Sequence, residues 1–337
     1  MVHATTMLIK RLLFISLFSL TTASIIASFE FSSTSYFQLA PILDIPLLFL
    51  TSVVVSILIY KKRKTTSFIA LLILQFIVLF YRNTDAHFQA EETEASIRIL
   101  SLNVQQFNND TSTVNSIVKM INDHQPDIVL LQEFGLYYRW PDVESVASDF
   151  ARRINMPHHH FEPKKVDIFG VATFSTFSFE SSNSIFRSSP STNEAHEIIL
   201  NTGKERIMIV NYHLESYNIF PIRDNDSLYS PSSVFAKQRD QAALLLRKEG
   251  DHLPLILAGD LNAVPGSRTY CEFGFEYTNA QSAFGQGLIS TLKNTWLRLD
   301  HIWINEKWVI NDLKVNASFP SDHKAIIADL RSEEHTS

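Results

Sequence analysis

One cysteine, Cys271, is all that 337 residues contain. An intramolecular disulfide is therefore excluded, and stability does not depend on an oxidising compartment. No zinc-type spacing surrounds Cys271, which reads as a core or boundary residue. Internal repeats and low-complexity tracts are also missing, which argues against solenoid architectures. Basic clusters are scarce beyond residue 86: residues 87–337 carry 22 Lys/Arg against 32 Asp/Glu, and no basic run there exceeds two residues, as at Lys164–Lys165. A nucleic-acid binder usually presents a basic patch for phosphate, so this balance lowers the weight of that class.

Charge is absent from two stretches near the start. Residues 12–29 and 65–81 contain no Asp, Glu, Lys or Arg, and 39–60 holds only Asp44. Spanning a bilayer takes roughly 20 apolar residues, with about 17 at the short end. A cleaved signal peptide is the alternative for 12–29, but no clear cleavage site followed by a soluble sequence succeeds it. The expectation is a membrane anchor over 1–86 with three transmembrane helices at about 12–29, 39–60 and 65–81. Lys10, Arg11 and the "KKRK" run at 61–64 place the N-terminus and that loop in the cytoplasm by the positive-inside rule. Three crossings then put the remaining chain on the extracytoplasmic side. A transporter or channel is disfavoured, because Asp44 is the sole charge within the spans and lies near an end.

A polar, acidic linker over 87–96 leads into a domain predicted over 97–330. Short apolar strands there alternate with helical patterns: "IRILSLNV", then a helix through "STVNSIVKMINDH" with Asp110 or Thr111 as N-cap, then "DIVLLQE" and the helix "VESVASDFARRI". Further strands are read at "FGVATFS", "HEIIL", "ERIMIVNYHL", "LPLILAGDLN", "LDHIWIN" and "HKAIIADL", with an amphipathic helix at "SVFAKQRDQAALLLRKE". This mixture over roughly 235 residues predicts a layered α/β domain. The tail 331–337, "RSEEHTS", has no apolar pattern and looks like a translated sequencing-library adapter, so it is set aside from fold reasoning.

Polar groups gather at strand ends. Asn103 closes one strand, Glu133 another, Asn211 and His213 a third, and Asp260 and Asn262 a fourth, within "LAGDLNAVPGS". Asp300 opens a further strand, and Asp322 and His323 precede the last. Each single Asn or Asp is an ordinary turn residue. Glu133 is less ordinary, because "VLLQEF" would bury an ionised carboxylate without an evident partner. Several such groups on different strands point to a site at one rim of the scaffold.

The pieces "LSLNV", "DIVLLQE", "VNYHLES", "LAGDLNAVP", "LDHIW" and "SDHKAI", in that order, resemble the endonuclease/exonuclease/phosphatase (DNase I-like) superfamily of metal-dependent phosphoesterases. The resemblance implies a four-layer α/β sandwich, two mixed β-sheets flanked by helices, with the site at one rim. It implies Glu133 as the principal Mg²⁺ ligand, helped by Asn103 with Asp322 beside the metal, and Mn²⁺ as the alternative ion; oxygen ligands suit such cations. It implies Asp260 as the group that orients and deprotonates water, and Asn262 as a partner of phosphate or of that water. His323, its ring held by Asp300, would contact the developing phosphorane, and His213 would bind a phosphate oxygen or assist the leaving group. Whether Asp260 or His323 is the base stays open. Gln105 and Gln106 stand where abasic-site nucleases usually carry an Asp. His301 is read as strand packing. The "HHH" run at 158–160 cannot converge on one ion, since consecutive strand residues alternate faces. A sequon at Asn316 matters only in a glycosylating pathway.

The leading expectation is thus a membrane-tethered, Mg²⁺-dependent phosphoesterase acting on a lipid head group, phosphorylated polyol or nucleic acid. The alternatives are a DNase I-like or abasic-site endonuclease and a non-catalytic binding module of the same fold. No obligate protein partner is implied.

Overall fold

The structure, a computed structural model, describes residues 44–60, scattered positions between 69 and 77, and 96–135, 143–163, 169–187, 193–216, 231–246 and 252–333. The first described element is a helix at Asp44–Tyr60, 17 residues long, within the 39–60 span expected, whose residues 39–43 lie outside the described ones. Among the described residues, no helix is long and apolar enough to cross a membrane. The expected span at 12–29 and most of that at 65–81 lie outside the described residues.

Twelve strands follow among the described residues: β1 (Ile97–Asn103), β2 (Ile128–Phe134), β3 (His158–Pro163), β4 (Gly170–Ser175), β5 (Ser178–Arg187), β6 (Glu194–Asn201), β7 (Arg206–His213), β8 (Leu255–Asp260), β9 (Thr278–Asn279), β10 (Asp300–Ile304), β11 (Trp308–Asn316) and β12 (Ala325–Ser332). They form two six-stranded sheets, ordered β11-β12-β1-β2-β4-β3 and β5-β6-β7-β8-β10-β9. Each sheet is mixed, with one parallel pair at its centre: β1 with β2, and β7 with β8. The helices Thr111–His124 and Val143–Arg153 belong to the first half of the domain, and Pro231–Leu245 and Arg268–Glu276 to the second.

Period-two alternation sorts side chains into three apolar layers. Leu100, Leu102, Val129, Leu131 and Phe174 pack with Ile117, Ile121 and Phe150 of the first two helices. Ile99, Ile128, Leu130, Ile209, Ile256, Ile302 and Ile326 fill the space between the sheets. Met208, Val210, Leu257 and Trp303 pack with Ala242, Leu245 and Phe273 on the far side. The predicted sandwich of two mixed sheets flanked by helices is the observed arrangement. Asp110 is the N-cap of Thr111–His124, its side chain accepting from the Ser112 amide, which satisfies one of the open donors of the first turn.

Three features depart from expectation. β5, β11 and the helix Arg268–Glu276 were not read from the sequence; the β5 burial pattern is mostly exposed, and apolar periodicity is weak where one face meets solvent. β12 runs to Ser332, two residues into the tail set aside, and the Ser332 hydroxyl donates to Glu205 at 3.0 Å. Asn211 was expected at the rim but lies between the sheets. Its amide donates to the Ala172 carbonyl at 3.0 Å, and its carbonyl oxygen accepts from Gln132 at 2.8 Å. Each of these bonds joins β7 of the second sheet to a strand of the first, so Asn211 ties the layers together.

Candidate active site

Strand pairing brings most of the expected residues to one rim. Across three adjacent strands of the second sheet, His213 pairs with Asp260 and Asp260 pairs with Asp300 in register. The first sheet supplies Asn103 at the end of β1 and Glu133 near the end of β2. His323 joins them from the segment before β12, where it makes an isolated bridge to Leu292.

The backbone is shaped to deliver these groups. Pairing of β2 with β4 breaks register between Leu131 and Phe134, and Glu133 within that break has φ 49°. A bulge with a left-handed residue re-aims a side chain that regular pleating would send elsewhere. Asn262 is also left-handed, with φ 51°, and the turn allows its amide N–H to donate to Asp260 Oδ1 at 2.9 Å. Its side-chain amide donates back to the Leu214 carbonyl at 2.9 Å. Gln105 to Asn109 form a run of five positive-φ residues one residue beyond the end of β1. Gly259, at φ +153°, sits where an added Cβ would lie 1.9 Å from the Tyr212 carbonyl oxygen; only glycine lets β8 approach β7 so closely just before Asp260.

Asn103 is the hub. Its amide donates to Glu133 Oε1 at 3.2 Å and to Asp260 Oδ2 at 3.0 Å, and its Oδ1 accepts from the Gln105 amide at 3.0 Å. Asp260 Oδ2 also lies 3.7 Å from His213 Nε2 and 3.8 Å from His323 Nε2. His323 Nδ1 is 2.8 Å from Asp300 Oδ2 and 3.0 Å from Oδ1. Ser321, which the sequence reading passed over, accepts from the His323 amide at 3.1 Å and donates to the Asn103 carbonyl at 2.8 Å. Thr291 accepts from the Asp300 amide at 3.0 Å. Ser321 stands inside the "SDHKAI" motif, whereas Thr291 carries no local signal.

Asp260 and Asp300 are each 1% exposed, and burial governs the electrostatics. Desolvation, with Asp300 nearby, pushes the Asp260 carboxyl up to about 6. Burial alone would lower His323, but the Asp300 and Asp260 carboxylates outweigh it and hold the imidazolium up to about 10. Burial dominates at His213 and lowers it, leaving a neutral ring. Burial also raises Glu133, partly offset by the Asn103 hydrogen bond. At neutral pH the site therefore holds an ionised Asp260 beside a cationic His323 and a neutral His213.

Asp322 differs from the others in being exposed, with its carbonyl accepting from the Lys293 amide at 2.7 Å. Its charge raises both Glu133 and His323. Asn262 lines the turn with its amide engaged by the chain. His301 is fully buried, with Nε2 2.9 Å from the Ala263 carbonyl and its ring edge-on to Tyr270. One ligand atom each from Asp260, Asp300 and His323 lie within 4.8 Å of one another, but Asp300 is engaged by His323 and acts there as its orienting partner. Glu133 fits a hard divalent cation better. Its side chain keeps 23% of its surface open, with the His213 ring 4.0 Å away, no Lys or Arg among the described residues pairs with it, and a carboxylate oxygen is the ligand type such cations prefer.

A sequence profile described as the Endonuclease/Exonuclease/phosphatase family matches residues 100–323. Comparison with curated proteins gives no match. Among solved structures, the chain is similar to an endonuclease/exonuclease/phosphatase from Beutenbergia cavernae, at 16% identity and TM-score 0.57, covering 71% of this chain and 72% of that one. The human Nocturnin catalytic domain with bound sulfate gives 21% identity and TM-score 0.53, covering 70% of this chain and 94% of that one. D. rerio TDP2 complexed with a single-strand DNA product gives 15% identity and TM-score 0.54, covering 71% and 100%.

Proposed function

Because the chain belongs to the endonuclease/exonuclease/phosphatase family, whose members are metal-dependent phosphoric ester hydrolases, we propose that it cleaves a phosphodiester or phosphomonoester by in-line attack of water. The observation that carries this reading is the Asn103–Asp260 hydrogen bond set beside the Asp300–His323 pair. Together they place an acceptor for a proton next to a fixed cation. Asp260, at about 6, is ionised at neutral pH and matched to a general base. His323, held up to about 10, carries its proton at neutral pH, and we assign the role of base to Asp260. Its charge and Nε2–H instead meet the negative oxygens that build up on phosphorus. Asp300 keeps that imidazolium charged and oriented. His213, neutral and within 4 Å of Asp260 and Glu133, contributes a hydrogen bond to a phosphoryl or leaving oxygen. Asn103 keeps the Asp260 and Glu133 carboxylates apart at fixed positions.

Glu133, with Asn103 and Asp322, would hold Mg²⁺, which supplies charge neutralisation at the phosphoryl and leaving oxygens. The substrate is proposed to lie at a membrane surface. That reading is supported by the three uncharged or nearly uncharged stretches within 1–81 and by the "KKRK" loop, which would anchor the domain outside the cytoplasm. A nuclease is the second reading, favoured by fold similarity to a protein solved with single-strand DNA product and disfavoured by the acidic balance of residues 87–337.

The test is a substrate panel with detergent-solubilised protein: bis-(p-nitrophenyl) phosphate, sphingomyelin, a phosphorylated inositol and single-stranded DNA. Hydrolysis with Mg²⁺ that disappears in EDTA is expected. Turnover that survives chelation, or none on any phosphoester, overturns the proposal.

A further inference from the structure

A second cluster of ligand-type side chains lies where the two sheets meet along their other edge. His160 and Glu162 stand on β3, the edge strand of the first sheet, and His196 stands on β6 of the second. One nitrogen from each imidazole and one Glu162 oxygen all lie within 4.8 Å of one another. The three consecutive histidines at 158–160 do not converge, in keeping with strand alternation. His159 stacks on Phe174 and His158 lies near Phe179. His160 is the member that meets another ligand-type side chain, its ring edge-on to His196 with centroids 4.9 Å apart.

The hydrogen bonding leaves donors open. His196 is fully buried, with Nε2 2.7 Å from Thr173 Oγ1 and Nδ1 without a partner among the described residues. His160 Nε2 is likewise a buried atom without a hydrogen bond, 4.0 Å from Glu162 Oε2. Arg187 engages Glu162 through Oε1, so Oε2 is the oxygen turned toward His160. Leaving two buried ring nitrogens unpaired costs on the order of 1–3 kcal/mol each. Metal-bound histidines characteristically donate their second N–H to an oxygen. The Nε2–H tautomer of His196 does so to Thr173, which leaves Nδ1 with a bare lone pair.

We propose that His160, Glu162 and His196 form a structural site for a borderline divalent transition cation, Zn²⁺ in the first instance, clamping the edge strand β3 to the second sheet. Two imidazoles and a carboxylate are a zinc-type set that a bound water would complete to four ligands, distinct from the carboxylate rim that suits Mg²⁺. Ligands on a tetrahedral Zn²⁺ lie roughly 3.3 Å apart, from bond lengths of about 2.0–2.1 Å. The cluster, within 4.8 Å as it stands, would contract toward that spacing on binding.

The test uses the full chain, stripped with chelator and then held in excess Mg²⁺ while Co²⁺ is titrated. One equivalent of Co²⁺ with the intense visible absorption of a four-coordinate ion is expected, unchanged in Glu133→Gln. Affinity should fall at least about tenfold in His160→Ala and in Glu162→Gln. Zn²⁺ should raise the thermal midpoint of the parent but not of His160→Ala. His196 is buried enough that its replacement risks misfolding, so the partly exposed His160 and Glu162 carry the test. Absence of a stoichiometric tetrahedral ion, its loss in Glu133→Gln, or its retention in both His160→Ala and Glu162→Gln overturns the proposal.

Discussion

At the scale of single residues, the site divides its labour through charge. Replacing Asp260 by Ala should lower turnover by roughly 10²- to 10⁴-fold, the usual contribution of a general base, with circular dichroism unchanged; steady-state kinetics check this. The pH–rate profile should rise through about 6 as Asp260 ionises and fall toward about 10 as His323 loses its proton. Asp300→Asn removes the largest group holding His323 up, so the alkaline limb should move to lower pH. Stability follows the same sign. The folded His323 lies above its ordinary value, so its contribution is complete below about 6.5 and disappears as pH rises through about 10. The thermal midpoints of parent and Asp300→Asn should therefore differ at pH 7 and converge in strong alkali. Asp260, Asn103, His213, Glu133 and His323 were legible because short motifs carry them. Ser321 and Thr291 were not singled out, since a hydroxyl that caps a backbone amide leaves no pattern in a sequence.

At the scale of elements, legibility tracked burial. Strands with both faces covered, such as β1, β2, β8 and β10, read as apolar runs and were found. The exposed edge strand β5 and the helix Arg268–Glu276 were not, because solvent tolerates too many residue types there. Backbone irregularity was also invisible. Nothing in "VLLQEF" announces a bulge, yet the bulge with Glu133 at φ 49° is what turns that carboxylate toward Asn103. Asn211 misled for a related reason, since it stands only two residues before His213 but reaches across to the other sheet. Asn211→Ala removes the 2.8 Å acceptor of the buried Gln132 amide, which keeps only 3.4 Å bonds to Ser101 and Leu130, and should cost about 1–3 kcal/mol by urea denaturation. Gly259→Ala is expected to be worse, because its Cβ meets the Tyr212 carbonyl and both are backbone-fixed. A loss of about 3 kcal/mol or more, or failure to fold, should appear in the same measurement.

At the scale of the whole molecule, all three apolar layers are built from residues beyond Ile97. Among the described residues, none before Ile97 belongs to them. A chain beginning at residue 87 should then keep the thermal midpoint of the domain and its turnover of a soluble phosphoester. Differential scanning fluorimetry and bis-(p-nitrophenyl) phosphate assays check both. If the anchor serves to present substrate, turnover of a lipid phosphoester in vesicles should fall while that of the soluble ester does not. The layered architecture was legible because alternating strands and amphipathic helices admit few other packings.

The in-register row His213–Asp260–Asp300 has one more consequence. Because strand side chains alternate, a slip of β8 by one residue would withdraw Asp260 from the rim and present Gly259 or Leu261 instead. Such a chain would still be compact and rich in sheet, yet catalytically silent. Specific activity per folded molecule thus doubles as a gauge of folding fidelity, distinguishing correctly threaded protein from impostors that spectroscopy would count as native.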